Sequence, residues 1–385
     1  MRSHEGRMKP SAEHQTFRDA VRKFVEREIV PNVAAWDEAE TFPRSLYRRA
    51  AELGLLGLGY PEAYGGTPAD GWYRLIATEE IARAGSGGLM ASLFSHNIGL
   101  PPIVANASEA LKERVIPGVL AGDKIAALAI TEPSGGSDVA RLRCKAHLDG
   151  SEWVIDGDKA FVTSGMRSDW ITLAVRSGNP GPAGISLIAV PGDAPGLTRT
   201  PLAKMGWWCS DTAQLHFASC RVPADHLIGS ENAGFRMIME NFNAERLLMS
   251  AGACAFAQVC YDEALEWARQ RQTFGAMLVE HQVIRHRLMD MRMRIASTRA
   301  WLHSLVERQE AGDGSPDWVA DLCLLKNHAT QAMQFCADAA VQILGGMGFM
   351  RGTKSERIYR EVKVMMIGGG AEEIMKELAA RQSGL

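Results

Sequence analysis

Apolar positions along the chain change their period twice. From residue 11 to about residue 122 they recur at helical spacing. FRDAVRKFVEREIVPNVAAW stops near Pro31, LYRRAAELGLLGL and YRLIATEEIARAG repeat the pattern, and PEAYGGTPADG is a turn-rich connection. From Ile125 to about Pro223 the period moves towards two. KIAALAI, SEWVIDG, KAFVTSG, WITLAVR, GISLIAV and AQLHFASCRV are short runs rich in β-branched and aromatic residues, separated by DGSE, SGNPGPAG and GDAPG. From Phe235 the long helical segments return: AERLLMSAGACAFAQVCYDEALEWARQR, LVEHQVIRHRLMDMRMRIASTRAWLHSLVERQE and WVADLCLLKNHATQAMQFCADAAVQIL. The pattern predicts an α+β chain with an N-terminal α-helical domain (1–124), a central antiparallel β domain (125–234) and a C-terminal four-helix bundle domain (235–385).

Composition narrows the function classes. A formal net charge of −3 over 385 residues gives no electrostatic case for a nucleic-acid partner. The seven cysteines are an odd number without a C-x-x-C pair, which fits reduced thiols in a cytoplasmic compartment better than a disulfide framework or zinc site. MRSHEGRMKP at the N-terminus has no apolar signal core. The longest uncharged helical stretch, LLMSAGACAFAQVCY, falls short of the roughly 20 residues of a membrane span. The ten histidines show no metal-ligand spacing, so no metal is expected. The basic run RHRLMDMRMR reads as a solvated helix face.

Three clusters carry possible chemistry. TEPSGGSD (131–138) closes a strand-like run, and its backbone N–H groups and hydroxyls can cradle phosphate or a flavin edge; a tight loop capping a strand explains it as well. QILGGMGF (342–349) places three glycines within four positions after a helix, more than a helix C-cap requires. RQTFG (271–275) ends a long helix with an arginine, a hydroxyl and an aromatic residue, suited to a pyrophosphate or adenine, although a helix C-terminal arginine is common for dipole reasons.

In this order, around a β domain, these clusters resemble the acyl-CoA dehydrogenase family over nearly the whole chain. ALAITEPSGGSDVA is similar to the family's flavin loop and GDKAFVTSG to its second flavin strand. ARQRQTFG, QILGGMGF and ERIYREVKVMMIGGGAEEIMKELAAR are similar to its C-terminal signatures. The resemblance implies a homotetramer with one FAD per subunit, acting on an acyl-CoA and passing electrons to electron-transferring flavoprotein. It places Leu128, Ile130, Thr131 and Ser137 at the flavin and its chain, with Ser137 also facing the substrate, and Thr163 near flavin N5. Phe161 occupies a position that is often tryptophan. Arg271, Thr273, Phe274, Gln342, Gly345 and Gly346 are implied to hold the adenine and pyrophosphate across a subunit boundary.

Dehydrogenation needs a base at the substrate α-carbon and donors for the thioester oxygen, where negative charge builds up. Much of the family keeps its glutamate base in a pattern like I-Y-E-G-T. Here that segment reads Ile367-Gly368-Gly369-Gly370-Ala371, so the base is absent and Gly369 is left to offer a backbone N–H. Glu245, in NAER, shares a helical face with Leu248, Met249, Gly252 and Phe256. From local sequence alone an acidic residue near a helix N-terminus explains it. The resemblance points the other way, because isovaleryl-CoA and long-chain acyl-CoA dehydrogenases keep their glutamate on this helix, immediately before the arginine. Glu245 is therefore the expected base. Arg246 is expected to order the base region, and Phe235, Met239 and Asn243 match positions near the CoA chain, where plain core packing also accounts for the two apolar residues. Glu372 and Glu373 read as first-turn acids of the last helix. An oxygen-using relative and a flavin-binding protein without catalysis remain open, as do chain length and branching, with long-chain or 3-methyl-branched substrates favoured.

Overall fold

A computed structural model of the chain describes residues 11–385; the N-terminal MRSHEGRMKP lies outside the described residues. Helices α1 (Ala12–Phe24), α2 (Val33–Glu38), α3 (Ser45–Glu52), α4 (Gly71–Ala82), α5 (Gly87–Leu93), α6 (His96–Gly99), α7 (Pro101–Asn106) and α8 (Glu109–Leu120) form the N-terminal part. The first long helical pattern is split: α1 passes into a π-helical turn at Val25–Ile29, and the chain re-enters a helix only beyond Pro31, whose ring cannot continue the hydrogen-bond ladder. Ser11, Asp70, Ser86 and Ser108 cap α1, α4, α5 and α8 by accepting backbone N–H bonds.

The middle of the chain forms β1 (Ala126–Ala129), β2 (Lys145–Asp149), β3 (Glu152–Val162), β4 (Trp170–Arg176), β5 (Ile185–Pro191), β6 (Leu197–Pro201), β7 (Ala213–Pro223) and β8 (Leu227–Ile228). The order is β6-β7-β3-β2-β4-β5-β8, with β1 on β4. The expected antiparallel sheet is in fact mixed. β1 runs parallel to β4 from Ala126↔Trp170 to Ala129↔Leu173, and β2 touches the same edge in parallel at Lys145↔Arg176. The cause is topological: β1 arrives from α8, and β2 and β3 intervene before β4, so β1 and β4 are joined by a crossover rather than a hairpin. SEWVIDG and KAFVTSG, read as two runs, are the single strand β3. Gly157, at φ +135°, carries a register shift against β7 rather than a turn.

The C-terminal part consists of α9 (Gly234–Gln270), a hairpin of β9 (Gln272–Thr273) and β10 (Ala276–Met277), α10 (Gln282–Glu310), α11 (Pro316–Leu344), the single turn α12 (Gly346–Phe349), α13 (Lys354–Ile367) and α14 (Glu372–Gln382). One core joins Val21, Ile29, Phe42 and Leu89 of the N-terminal helices to Phe256, Met291, Met333 and Ile358 of this bundle. A second lies inside the sheet around Trp153, Ile155, Leu173 and Phe217. Among the described residues no helix is long and apolar enough to cross a membrane.

Candidate active site

Glu245 stands about three turns inside α9, not at its start as the sequence reading had it, because FRMIMENFNA contains no breaker and the helix begins at Gly234. The helix dipole acts within the first turn and does not account for a carboxylate here. Phe235, Met239, Asn243 and Arg246 follow at three- and four-residue steps, so they share one side of α9. Phe235 and Met239 are half-buried against the core formed by Leu100, Ile103 and Ile238. Arg246 is buried, donates from Nη1 to Asn243 Oδ1 at 3.0 Å and from Nε to the Gly369 carbonyl at 3.0 Å, and lies over the Phe242 ring. It makes no ion pair with Glu245, as expected for adjacent helical positions.

The glycine segment closes on this helix. Gly369 adopts φ +66°, and a Cβ there would come within 2.7 Å of Met249 Sδ. Met249 is four residues beyond Glu245 and therefore one turn along the same face. So the turn of α9 next to the one that carries Glu245 packs on Gly369, and a side chain at 369 would have to displace Met249. Among the described residues no hydrogen bond or ion pair engages the Glu245 carboxylate. Burial pushes its carboxyl up to about 7, with Arg246 and Lys326 pulling the other way.

Helix α11 supports the far side. Lys326 donates to the Met366 carbonyl at 2.9 Å and the Gly370 carbonyl at 2.7 Å. Asn327 donates to the Glu372 carbonyl at 2.9 Å, and Gln331 to the Glu372 carboxylate at 3.2 Å. Glu372 and Glu373 occupy the first turn of α14, the placement expected of them.

The glycine- and hydroxyl-rich loop 131–138 leaves the end of β1. Its base is a buried ion pair: Lys159 Nζ donates to Glu132 Oε1 at 2.9 Å and to the Ile130 carbonyl at 2.9 Å. Burial opposes the charge on Glu132, yet the Lys159 ammonium and the N–H groups of Cys144 and Arg143 hold its carboxyl below the ordinary value. Leu128 and Thr131 are half-buried and Ser137 is exposed, whereas the Ile130 side chain is turned into the core. Two residues short of Thr163, a second bulge in β3 puts Phe161 at φ +59° with 69% of its surface exposed. In the C-terminal part Thr273 Oγ1 lies 3.1 Å from His281 Nε2, and Phe274, at the hairpin tip, is fully exposed at φ +52°. Arg271, Gln342, Gly345 and Gly346 are also exposed, and α11 ends on Gly345 at φ +62°.

The models for the N-terminal, middle and C-terminal domains of acyl-CoA dehydrogenases match residues 11–123, 127–220 and 232–384. The chain belongs to the acyl-CoA dehydrogenase family. The mitochondrial long-chain specific acyl-CoA dehydrogenase of Sus scrofa is 35% identical over 376 residues, covering 97% of this chain and 86% of that one. The mitochondrial isovaleryl-CoA dehydrogenase of Oryza sativa is 33% identical over 374 residues, covering 96% and 90%. A crystal structure of acyl-CoA dehydrogenase from Geobacillus kaustophilus superimposes with a TM-score of 0.93 at 34% identity, covering 97% of this chain and 99% of that one.

Membership makes the chain an FAD-dependent oxidoreductase acting on acyl-CoA. The residues present fit the cofactor. A Cβ added at Gly135, Gly345 or Gly346 would meet nothing within 4 Å, so a ligand can approach these backbones closely, and Phe161 and Phe274 leave aromatic rings uncovered. Within one chain, no hydrogen bond among the described residues joins loop 131–138 to the 271–275 or 342–346 segments. Sequence reasoning missed Lys326, the contact of Met249 with Gly369 and the Lys159–Glu132 pair. A lone lysine in the apolar run WVADLCLLKNHATQAM was the available signal for the first.

Proposed function

We propose that this acyl-CoA dehydrogenase converts a saturated acyl-CoA to its trans-2-enoyl-CoA with Glu245 as the base. One observation carries the reading: a half-buried carboxylate without a hydrogen-bond partner, raised to about 7, sits one turn from the residue that packs on Gly369. The Glu245 carboxylate takes the α-proton as the α C–H bond breaks. FAD, when bound, accepts the hydride that leaves the β-carbon. The Gly369 N–H is offered to the thioester oxygen, and Arg246 fixes that residue through its carbonyl. Met239 and Phe235 supply an apolar wall along the substrate, and Asn243 is locked by Arg246. Leu128, Ile130 (through its backbone), Thr131, Ser137, Phe161 and Thr163 hold the flavin side, with Ser137 also facing the substrate.

Arg271, Thr273, Phe274, Gln342, Gly345 and Gly346 hold the adenine and pyrophosphate of a neighbouring subunit's FAD. The absence of any hydrogen bond between them and the flavin loop, among the described residues of one chain, supports that reading. So does α10, whose outer face exposes Val283, Met289 and Met293. Met289 and Met293, four residues apart, share a side of α10, and an exposed apolar surface there supports an oligomer such as the homotetramer. Electron-transferring flavoprotein is the proposed acceptor. The seven buried, unpaired cysteines support a reducing compartment such as the cytoplasm. Base placement favours long-chain or 3-methyl-branched substrates, as in the long-chain and isovaleryl relatives.

Anaerobic flavin bleaching with straight and 3-methyl-branched acyl-CoAs tests the base. The wild type should bleach, and Glu245→Gln should bind the thioester yet bleach at least 100-fold more slowly, within the usual order of a general-base contribution. A mutant as fast as the wild type removes Glu245 from the role.

A further inference from the structure

Lys326 is fully buried in the middle of α11 and pairs with no carboxylate among the described residues. A buried ammonium without an anion is expensive, and a neutral amide could have pinned a backbone carbonyl at lower cost. Lys326 spends two of its three donors on the carbonyls of Met366 and Gly370, the two ends of the turn that contains Gly369. Arg246 grips the same turn at the Gly369 carbonyl. The turn is thus held by two cations on two helices, and the helix that supplies one of them also carries Glu245.

We propose that Lys326 is a positioning residue for dehydrogenation, which sets Gly369 opposite Glu245 and places a positive charge behind the base. The proposal rests on Glu245 being that base. The groups facing Lys326 are Glu245 and Arg246 from α9, Cys323 from α11 itself and Glu372 from α14; α13 presents only the Met366 carbonyl, with the Lys363 amine directed to Met366 Sδ. Of the two carboxylates that act on Lys326, Glu372 has the larger influence and is hydrogen-bonded by Gln331, while Glu245 has no hydrogen-bond partner among the described residues. Burial pushes the Lys326 ammonium down to about 8, which leaves it mostly protonated at neutral pH. Removing its charge has two separable consequences. The Glu245 carboxyl becomes harder to ionise, and the turn loses the donor that joins its ends.

The test is the pH profile of anaerobic flavin bleaching in the FAD-loaded protein, with the saturated acyl-CoA that bleaches the wild type fastest. Lys326→Met, Lys326→Gln and Glu245→Gln are compared with the wild type. Lys326→Gln keeps an N–H donor and covers the case in which Lys326→Met does not fold. Both Lys326 variants should move the bleaching midpoint to higher pH; a shift of about one pH unit lowers the rate roughly fivefold at about pH 7 and approaches roughly tenfold well below the midpoint. Lys326→Met should also lower the high-pH plateau, and Lys326→Gln should lose less of it. A purely structural role would lower FAD content or melting temperature without moving the midpoint. Wild-type midpoints in the variants that fold, beside an inactive Glu245→Gln, overturn the proposal and leave the base intact. A Glu245→Gln protein that bleaches like the wild type overturns both.

Discussion

Glu245→Gln should make the folded protein more stable, and only where the carboxylate would be ionised. Glutamine keeps the shape and removes the charge. Ionising a carboxyl at about 7 in the fold instead of 4.5 in the unfolded chain costs about 3 kcal/mol, at about 1.36 kcal/mol per tenfold. The sign follows from linkage. The folded state holds its proton more tightly, so this site is free of penalty below about pH 4.5, and stability is lost progressively as pH rises through about 7. With an unfolding entropy of about 2.1 cal/mol/K per residue over 385 residues, 3 kcal/mol is a shift on the order of 4 °C. Thermal melts of FAD-loaded wild type and Glu245→Gln at matched scan rate should differ by that amount near about pH 8.5 and by only about a quarter of it near about pH 5. A constant offset from burying the amide cancels in the pH dependence. Curves separated equally at both pH values, or superimposed at both, would refute a desolvated, ionisable Glu245. Confirmation would identify the base as a place where stability is given up for reactivity.

Two more outcomes test the surroundings. Gly369→Ala should lower the bleaching rate more than tenfold while FAD content stays unchanged, because a β-carbon at φ +66° costs roughly 1–2 kcal/mol and forces Met249 aside; spectroscopic FAD content and stopped-flow bleaching read the two effects separately. Lys159→Met leaves Glu132 charged and unpaired in the interior, and should destabilise the chain by about 3–5 kcal/mol and loosen FAD, measured by urea unfolding and by flavin release on dilution.

The three-part architecture was legible because period and turn chemistry are local. The runs at β4, β5 and β7 and the long helices α10 and α11 lie where alternation and helical spacing put them. Strands β2, β6 and β8 were not legible. KAHLD and LTRTP are mostly exposed and polar, and LI is too short to alternate. Joining SEWVIDG to KAFVTSG required knowing that Gly157 sits in a bulge, and a lone glycine in a strand pattern does not separate a bulge from a turn. At the site, the glycine clusters and the missing glutamate at 369 could be read directly. The partners of Lys326 could not, because they lie 40 and 44 residues away and are main-chain carbonyls, which carry no sequence signature.

The sequence alone determined which residues were available: a glycine where a base is common, a glutamate inside an apolar helical face, bare backbones and uncovered aromatics for a cofactor. It also determined the order of helical and sheet regions, since hydrophobic period acts over a few residues. Only the tertiary structure decided what those residues do to one another. Packing α9 against α11 and α13 puts Met249 on Gly369, leaves the Glu245 carboxylate without a partner, and places two cations around one turn. Proton affinity depends on the water and charge surrounding a group in three dimensions, and segments distant in sequence supply that environment.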